Sequence, residues 1–396
     1  MNTMPLKILI TAFDYRPMMG GLATCTYELS KALSQSENVS VKLLAADAPG
    51  DQEFDQTSFC PTRRLRLSRR SEVAALQMIK PLRREIQEWK PDAVLNFLWL
   101  PEGVSTYLGT LGTDVPYFMI AHGVEVMESK STLRKKFRSI LTPLKRKVFK
   151  KAGKIFTVSN YTKDLVIKNC GISPESIQVI FNAVDSELFC PGPKPDKVIQ
   201  RHRLQGKKVF LTITRLVDYK GVDYALRAFK KILPEFPDAV YLVCGEGEDR
   251  SRLEAISKDL GLTKNVIFTG KLPPGELIDY YNSSDAFLLL SRDDLVTPNV
   301  EGFGIVFLEA AACEKPSIAG NSGGIPDAVL NGETGWLVDP CDEVEIADAM
   351  RTCLLDPKNT FRLGQQARRR VQEKLTWKNV ATSVLKEIRE ANHVRN

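Results

Sequence analysis

Strand-length apolar runs alternate with helical segments along nearly the whole chain, and they do so in two series. The first series is KILITAFD (7–14), VSVKLLAAD (39–47), DAVLNFLWL (92–100), PYFMIAHG (116–123), KIFTVSN (154–160) and IQVIFNAV (177–184). The second is KVFLTITR (208–215), AVYLVCGEG (239–247), NVIFTGKL (265–272), AFLLLS (286–291), PSIAGNSGG (316–324) and GWLVDP (335–340). These runs are continuous rather than alternating, so both faces of each strand are buried, as in a parallel sheet covered by helices. YELSKALS and VDYALRAFKKIL are examples of the helices between them. Two such series predict an α/β chain of two doubly wound domains. A length of 396 residues also suits two cores better than one.

The boundary is expected at CPGPKPDK (190–197), where three prolines and a glycine exclude helix and strand. The last segment, WKNVATSVLKEIREA (377–391), has the pattern of an amphipathic helix. Sequence leaves open whether it closes the second domain or crosses back to the first. The working division is 1–190 together with 377–396, and 191–376.

No apolar run approaches the roughly 18 residues needed to span a bilayer. The opening MNTMPLKILITAFDY reads as a first strand and not as a secretion signal. The eight cysteines include no CxxC and the three histidines lie far apart, which argues for buried thiols rather than a disulfide framework or a zinc site. Net charge is +7, unevenly spread. Eleven Lys or Arg and no acid lie between Lys130 and Lys154, and RRLRLSRR (63–70) holds five arginines. Such patches favour anionic partners. Leu133, Phe137, Ile140, Leu144 and Val148 form a helical stripe inside the first patch, with Pro143 bending or splitting it. Two readings stay open: a domain helix with a solvated basic face, or a contact with an anionic membrane surface. The patches lack interleaved aromatics and a nucleic-acid motif, so no nucleic-acid partner is expected.

Ligands of doubly wound sheets bind beyond the carboxyl ends of the strands, so the residues there carry the chemistry. EGFGIVFLEA (301–310) follows such a strand and its polar loop. A helix starting near Gly304 offers free N–H groups and a positive dipole end to an anion, and glycine lets a ligand approach the backbone. Glu301 lies before that helix and Glu309 more than one turn into it. Carboxylates accept hydrogen bonds from vicinal hydroxyls, so a phosphate with a polyol at each end fits, as in a nucleotide-diphosphate sugar. Arg215 and Lys220, in the loop of TITRLVDYKG, suit a diphosphate. SGGIPDAV (322–329) adds glycines after another strand. In the first half, RPMMGGLATCTYELS (16–30) places Gly20 and Gly21 at a helix start, and His122 ends a strand. CGEGEDR lacks the third glycine of a dinucleotide fingerprint, and no P-loop occurs.

These pieces, in order, are GG at 20–21, HG at 122–123, FTVSNYTKD at 156–164, FNAVD at 181–185, TRLVDYKG at 214–221, FTGKL at 268–272, EGFGIVFLEA at 301–310 and SGGIPDAVLNGETGWLVDP at 322–340. Together they resemble glycosyltransferase family 4, retaining enzymes of the GT-B fold, and most closely the branch of phosphatidylinositol mannosyltransferases and lipopolysaccharide or exopolysaccharide glycosyltransferases. The resemblance implies two Rossmann-like domains facing a central cleft, the first for the acceptor and the second for the donor. It implies that Glu309 binds ribose hydroxyls and Glu301 the donor hexose. The amides of Phe303, Gly304, Ile305 and Val306 would hold sugar and phosphates, and Arg215 and Lys220 would neutralise the leaving diphosphate. Gly20 and Gly21 would let the first domain close, His122 would reach the transferred sugar, and Lys271 and Leu272 would meet the base through their backbone. Where the family usually has Asn-Gly, this chain has Asn182-Ala183.

The expected activity is therefore transfer of a hexose, with retention, from a UDP- or GDP-sugar to a lipid-linked or glycan acceptor of the cell envelope. No cofactor is expected, and the lack of any Asp-x-Asp is consistent with metal-independent transfer. The place of action would be the cytoplasm, peripheral to the inner face of the membrane. The alternatives are a nucleotide-sugar epimerase or a GT-B enzyme with a soluble acceptor. A glycoside hydrolase, which also uses two carboxylates, would have no need of Arg215, Lys220 and the phosphate-seeking helix starts.

Overall fold

The computed structural model describes residues 4–123, 125–127, 141–293 and 299–393. It divides into two compact units, residues 1–182 with 377–396, and residues 183–376. Both are open parallel sheets flanked by helices.

The strands of the first unit are β1 (Leu6–Ala12), β2 (Val39–Ala46), β3 (Thr62–Leu65), β4 (Ala93–Asn96), β5 (Tyr117–Ala121), β6 (Lys154–Thr157) and β7 (Ile177–Val179). Their order is β3-β2-β1-β4-β5-β6-β7, every pair parallel. The strand order reverses between β1 and β4, which is where such sheets bind ligands. Leu9, Val94, Met119, Ala121 and Ile155 are buried on one face against Met78 and Leu82 of the helix Ser71–Trp89 and Val148 of the helix Thr142–Lys151. The terminal helix Trp377–His393 belongs to this unit and lies along the helix Gly21–Ser34. Lys154 pairs with its Glu387 at 3.0 Å.

The second unit holds β8 (Val209–Ile213), β9 (Val240–Cys244), β10 (Val266–Gly270), β11 (Ala286–Leu289), β12 (Ser317–Gly320) and β13 (Gly335–Val338). Their order is β10-β9-β8-β11-β12-β13, again all parallel, with the reversal between β8 and β11. The helix Val222–Ile232 buries Val222, Ala225, Leu226, Phe229 and Ile232 against Phe210, Tyr241 and Leu288 of the sheet. Each large apolar side chain buried this way contributes about 1.5–3 kcal/mol.

Two expectations are corrected. β3 was read only as a basic patch, yet Thr62–Leu65 is an edge strand of the first sheet. Arg63 reaches Glu85 at 3.0 Å and Arg64 reaches Asp55 at 2.8 Å, so neither guanidinium is a free surface cation. The boundary falls between Asn182 and Ala183, not at 190–197. CPGPKPDK is fastened inside the second unit: Asn282 Nδ2 donates to the Cys190 carbonyl at 3.1 Å and its Oδ1 accepts from the Gly192 amide at 3.0 Å, while Lys194 pairs with Asp285 at 3.0 Å and Lys197 with Glu276 at 2.6 Å. Pro143 sits in the first turn of the helix Thr142–Lys151, where its missing N–H costs nothing; the part of the stripe before Leu141, on which the expected bend or split depends, lies outside the described residues. Val148 of the stripe is buried and Leu144 half-buried, while Arg146, Lys147, Lys150 and Lys151 are exposed. Leu133, Phe137 and Ile140 lie outside the described residues.

Candidate functional site

In the second unit, β8 and β11 end side by side, and the loops that leave them are held backbone to backbone. The Arg292 amide donates to the Tyr219 carbonyl at 2.8 Å. Gly221, at φ 68°, closes the short turn Asp218–Lys220 against Leu290, whose carbonyl oxygen would lie 2.1 Å from an added Cβ. Two exposed or half-buried basic side chains leave this region with different surroundings. Arg215 is exposed and makes no ion pair among the described residues. Lys220 forms a close ion pair with Glu301 Oε2, and their side chains are only 11% and 17% exposed. Burial works against the Lys220 ammonium, but the Glu301 carboxylate and Tyr219 outweigh it and hold its pKa above the ordinary value. The residues are 81 apart in sequence, so the pair exists only because β8 and β11 are neighbours.

The turn that carries Lys220 is braced by charge on its outer side. Arg292 reaches Asp218 at 2.9 Å and Asp223 at 3.0 Å, and Arg252 reaches Asp249 at 2.6 Å and Asp218 at 3.0 Å. Arg292 and Arg252 are therefore spent on the scaffold. Sequence reading missed this network, although Asp218 and Asp223 flank Lys220 closely enough to have pointed to it.

Glu301 is set from behind by the loop after β12. The Gly324 amide donates to the Glu301 carbonyl at 2.9 Å, and Gly323 (φ 55°) lies so close that a Cβ would come within 2.5 Å of the same oxygen. Ser322 Oγ donates to the Ser291 carbonyl at 2.6 Å. SGG is thus the support of Glu301. Gly304 (φ 93°) caps the helix Ile305–Ala312, with Phe307 in the space a Cβ would need. The first amides of that helix have no acceptor within it, and its dipole end favours an anion. Phe303 is buried, while Ile305 and Val306 are half-buried.

Glu309 is one turn further along. Tyr281 Oη donates to its Oε2 at 2.8 Å. Burial raises the Glu309 carboxyl above its usual range and the Tyr281 hydroxyl opposes the rise. Oε1 has no hydrogen bond among the described residues. Tyr281 is itself wedged between Phe189 and Phe287, at ring distances of 6.0 and 5.8 Å. No sequence signal marked Tyr281. Lys271 is exposed after β10 and Leu272 is buried. CGEGEDR is accounted for by packing: a Cβ on Gly245 or Gly247 would lie about as close to the Thr214 or Leu216 carbonyl oxygen as a covalent bond, 1.8 and 2.0 Å.

The first unit places its own residues separately. Gly20 (φ 143°) and Gly21 open the helix Gly21–Ser34, and a Cβ on either would meet nothing within 4 Å. Their lack of side chains is not demanded by the packing of this unit, although the Gly20 backbone favours glycine. His122 follows β5. Its ring stacks on Phe97 at 6.4 Å, its amide donates to Glu125 Oε1 at 2.6 Å, and Nε2 is buried without a partner among the described residues. Burial pushes its pKa down to about 4, so the imidazole is neutral at pH 7. Among the described residues no three His, Cys, Asp or Glu side chains come together as a metal site, and no helix is long and apolar enough to cross a membrane.

Known proteins match this chain in sequence and fold. Residues 195–370 match the model of the glycosyl transferases group 1, and residues 19–188 match that of Glycosyltransferase Family 4. A GDP-mannose-dependent alpha-(1-6)-phosphatidylinositol monomannoside mannosyltransferase of Mycolicibacterium smegmatis is 32% identical over 234 residues, 59% of this chain and 61% of that one. The protein of the same description from Mycobacterium tuberculosis is 27% identical over 96% of this chain and 97% of its own. Among solved structures, HepE of Anabaena in complex with UDP superposes with a TM-score of 0.80 at 18% identity, covering 97% of this chain and all of that one. Sucrose-phosphate synthase of Thermosynechococcus elongatus gives 0.80 at 19% identity over 98% of this chain. The fold and the two matching models define a glycosyltransferase of GT-B architecture. The chain belongs to glycosyltransferase family 4.

Proposed function

We propose that the chain transfers a hexose from a nucleotide-diphosphate sugar to a hydroxyl of a lipid-linked or glycan acceptor, in the synthesis of cell-envelope glycolipid, lipopolysaccharide or polysaccharide. The observation that carries this reading is the Lys220–Glu301 pair beside the Gly304-capped helix. A cation, a carboxylate and a row of helix-terminal amides within one loop cluster match a leaving diphosphate and a sugar hydroxyl. Glu309, with Oε2 held by Tyr281 and Oε1 open, suits ribose. The relatives named for GDP-mannose and for phosphatidylinositol mannosides support both donor class and acceptor class, and HepE complexes with UDP and UDP-glucose support the donor class.

Breaking the anomeric C–O bond leaves positive charge on the sugar and negative charge on the departing diphosphate. Arg215, Lys220 and the amides at the helix start stabilise the second charge. Lys220 and Glu301 neutralise each other. Donor binding exchanges that pair for two better-matched contacts, ammonium to phosphate and carboxylate to sugar hydroxyl. The acceptor oxygen then bonds to the anomeric carbon on the face the phosphate leaves, and the acceptor proton passes to the departing phosphate oxygen. Configuration is retained, and the fixed cations do the neutralising otherwise done by a divalent metal.

A thermal-shift series with UDP, GDP, ADP and CMP tests the donor site, with Glu309→Ala beside the wild type. One diphosphate is expected to raise the melting temperature of the wild type by mass action and to act much less on the variant. Equal shifts in both proteins would remove Glu309 from the ribose site.

A lipid-linked acceptor would bring the protein to a membrane surface, and the exposed Arg146, Lys147, Lys150 and Lys151 suit an anionic one. The chain is expected to co-sediment with anionic liposomes at low salt and to be released by high salt. No binding at low salt would end this part of the proposal.

A further inference from the structure

A layer of polar atoms is buried on the first sheet, beneath the segment that follows β4. Register sets Thr11 beside Asn96 and Thr157 beside Ala121, which puts Thr11, Asn96 and Thr157 on one face at the carboxyl ends of their strands. The segment Trp99–Gly109 covers that face and carries Glu102 and Thr106, both fully buried. Phe13 donates its amide to Glu102 Oε1 at 2.7 Å. Glu102 Oε2, Thr11 Oγ1, both amide atoms of Asn96, Thr106 Oγ1 and Thr157 Oγ1 are buried and have no hydrogen-bond partner among the described residues. Native proteins leave only a few such atoms per hundred residues, and here six belong to one face of the first sheet and the segment that covers it. Donors and acceptors are mixed, which is the chemistry that ordered internal water satisfies.

We propose that Glu102 is a positioning residue for the loop from Phe13 to Gly21, acting through the Phe13 amide and through ordered water shared with Thr11, Asn96, Thr106 and Thr157. Its effect on turnover rests on the glycosyl transfer proposed above; its effects on stability do not. Burial pushes the Glu102 carboxyl up to about 8, the Phe13 amide opposing and the carboxylates of Asp14 and Glu125 adding to the rise. Asp14 lies on the loop that Glu102 holds. Glu125 follows β5, beside neutral His122. From the helix Thr142–Lys151, Lys145 donates to the carbonyls of Glu125 and Val126, at 3.1 and 2.9 Å. The helix Ser71–Trp89 brings Glu85, already paired with Lys42 and Arg63. At pH 7 Glu102 is thus an acid, accepting from Phe13 through Oε1 and donating through Oε2 into the water layer. An unfolded glutamate ionises near pH 4.5. The stability contributed by the bound proton is therefore complete below that pH and lost as pH rises to about 8.

The full-length chain is compared with Glu102→Gln, Glu102→Leu, Thr11→Val and Thr157→Val. Gln keeps the acceptor for Phe13 and a donor in place of the acid proton. Its turnover at pH 7 should stay within about twofold of wild type, while Leu should lose about tenfold in kcat with little change in donor KM. Between pH 5 and 8 the melting temperature of the wild type should fall relative to that of Gln. The Val variants should melt lower, because each strips a partner from bound water; in a dry layer they would melt higher. Parallel melting curves for wild type and Gln, or stabilised Val variants, would overturn the proposal. So would wild-type turnover in Leu. Should Leu fail to fold, the Gln and Val variants decide. If no glycosyl transfer is found at all, the melting data still decide whether the layer is hydrated and Glu102 protonated, separately from the reaction.

Discussion

In a Lys220→Met protein, turnover is expected to fall by about 10²–10³-fold, the scale for removing one fixed charge-stabilising donor from a transition state. Substitution also strands Glu301, whose side chain is 17% exposed and whose ion-pair partner is Lys220. Removing one member of a largely buried ion pair costs about 3 kcal/mol, so the melting temperature should drop as well. The two effects separate in a double variant. Lys220→Met with Glu301→Gln removes both charges, and stability should recover while turnover stays low. Glu301→Ala alone should also cut turnover severely in a folded protein. Wild-type turnover in Lys220→Met would take Lys220 out of the leaving-group site, whatever happens to stability.

Gly221→Ala should do more damage to the fold than any of these charge changes. The added Cβ would come within 2.1 Å of the Leu290 carbonyl oxygen and 2.8 Å of its carbon, both main-chain atoms at the end of β11. The φ of 68° adds left-handed strain. Gly332 provides the control, with φ 73° and nothing within 4 Å of a Cβ. Gly332→Ala should cost about 1–2 kcal/mol from backbone strain alone. Gly221→Ala should cost well over about 3 kcal/mol, because β8 and β11 loops must also separate. Denaturant midpoints measure both. If the loops do separate, the Asp218–Lys220 turn moves with them, and any surviving protein should show a weakened nucleotide response. Equal costs at the two positions would mean that the Leu290 contact relaxes freely.

What could be read in the sequence followed burial. All six strands of the second unit are continuous apolar runs, and each appears in the sheet where its run predicts. β3 was missed because an edge strand need not be apolar: TRRL turns its arginines to Asp55 and Glu85. DAVLNFLWL was read as one strand, but it stops at Asn96 and gives way to the turn that carries Glu102. The second unit was placed eight residues too late because prolines and glycine in CPGPKPDK resemble a linker; the distant Asn282, Asp285 and Glu276 show that they are fastened. Glu301, Glu309, Lys220 and Arg215 were legible as types at strand ends. The Lys220–Glu301 pairing, the Tyr281 support of Glu309 and the burial of His122 were not, because each depends on elements that only the sheet order brings together.

The second unit leaves and rejoins the first at Asn182–Ala183 and Thr376–Trp377. Just inside those crossings, the Val184 amide donates to the Leu375 carbonyl at 3.2 Å. The unit is therefore a cassette whose two ends are clasped to each other. A graft needs only two cuts, one on each side of that clasp, and a foreign cassette of the same fold would be joined to its host by two peptide bonds whose ends already lie side by side.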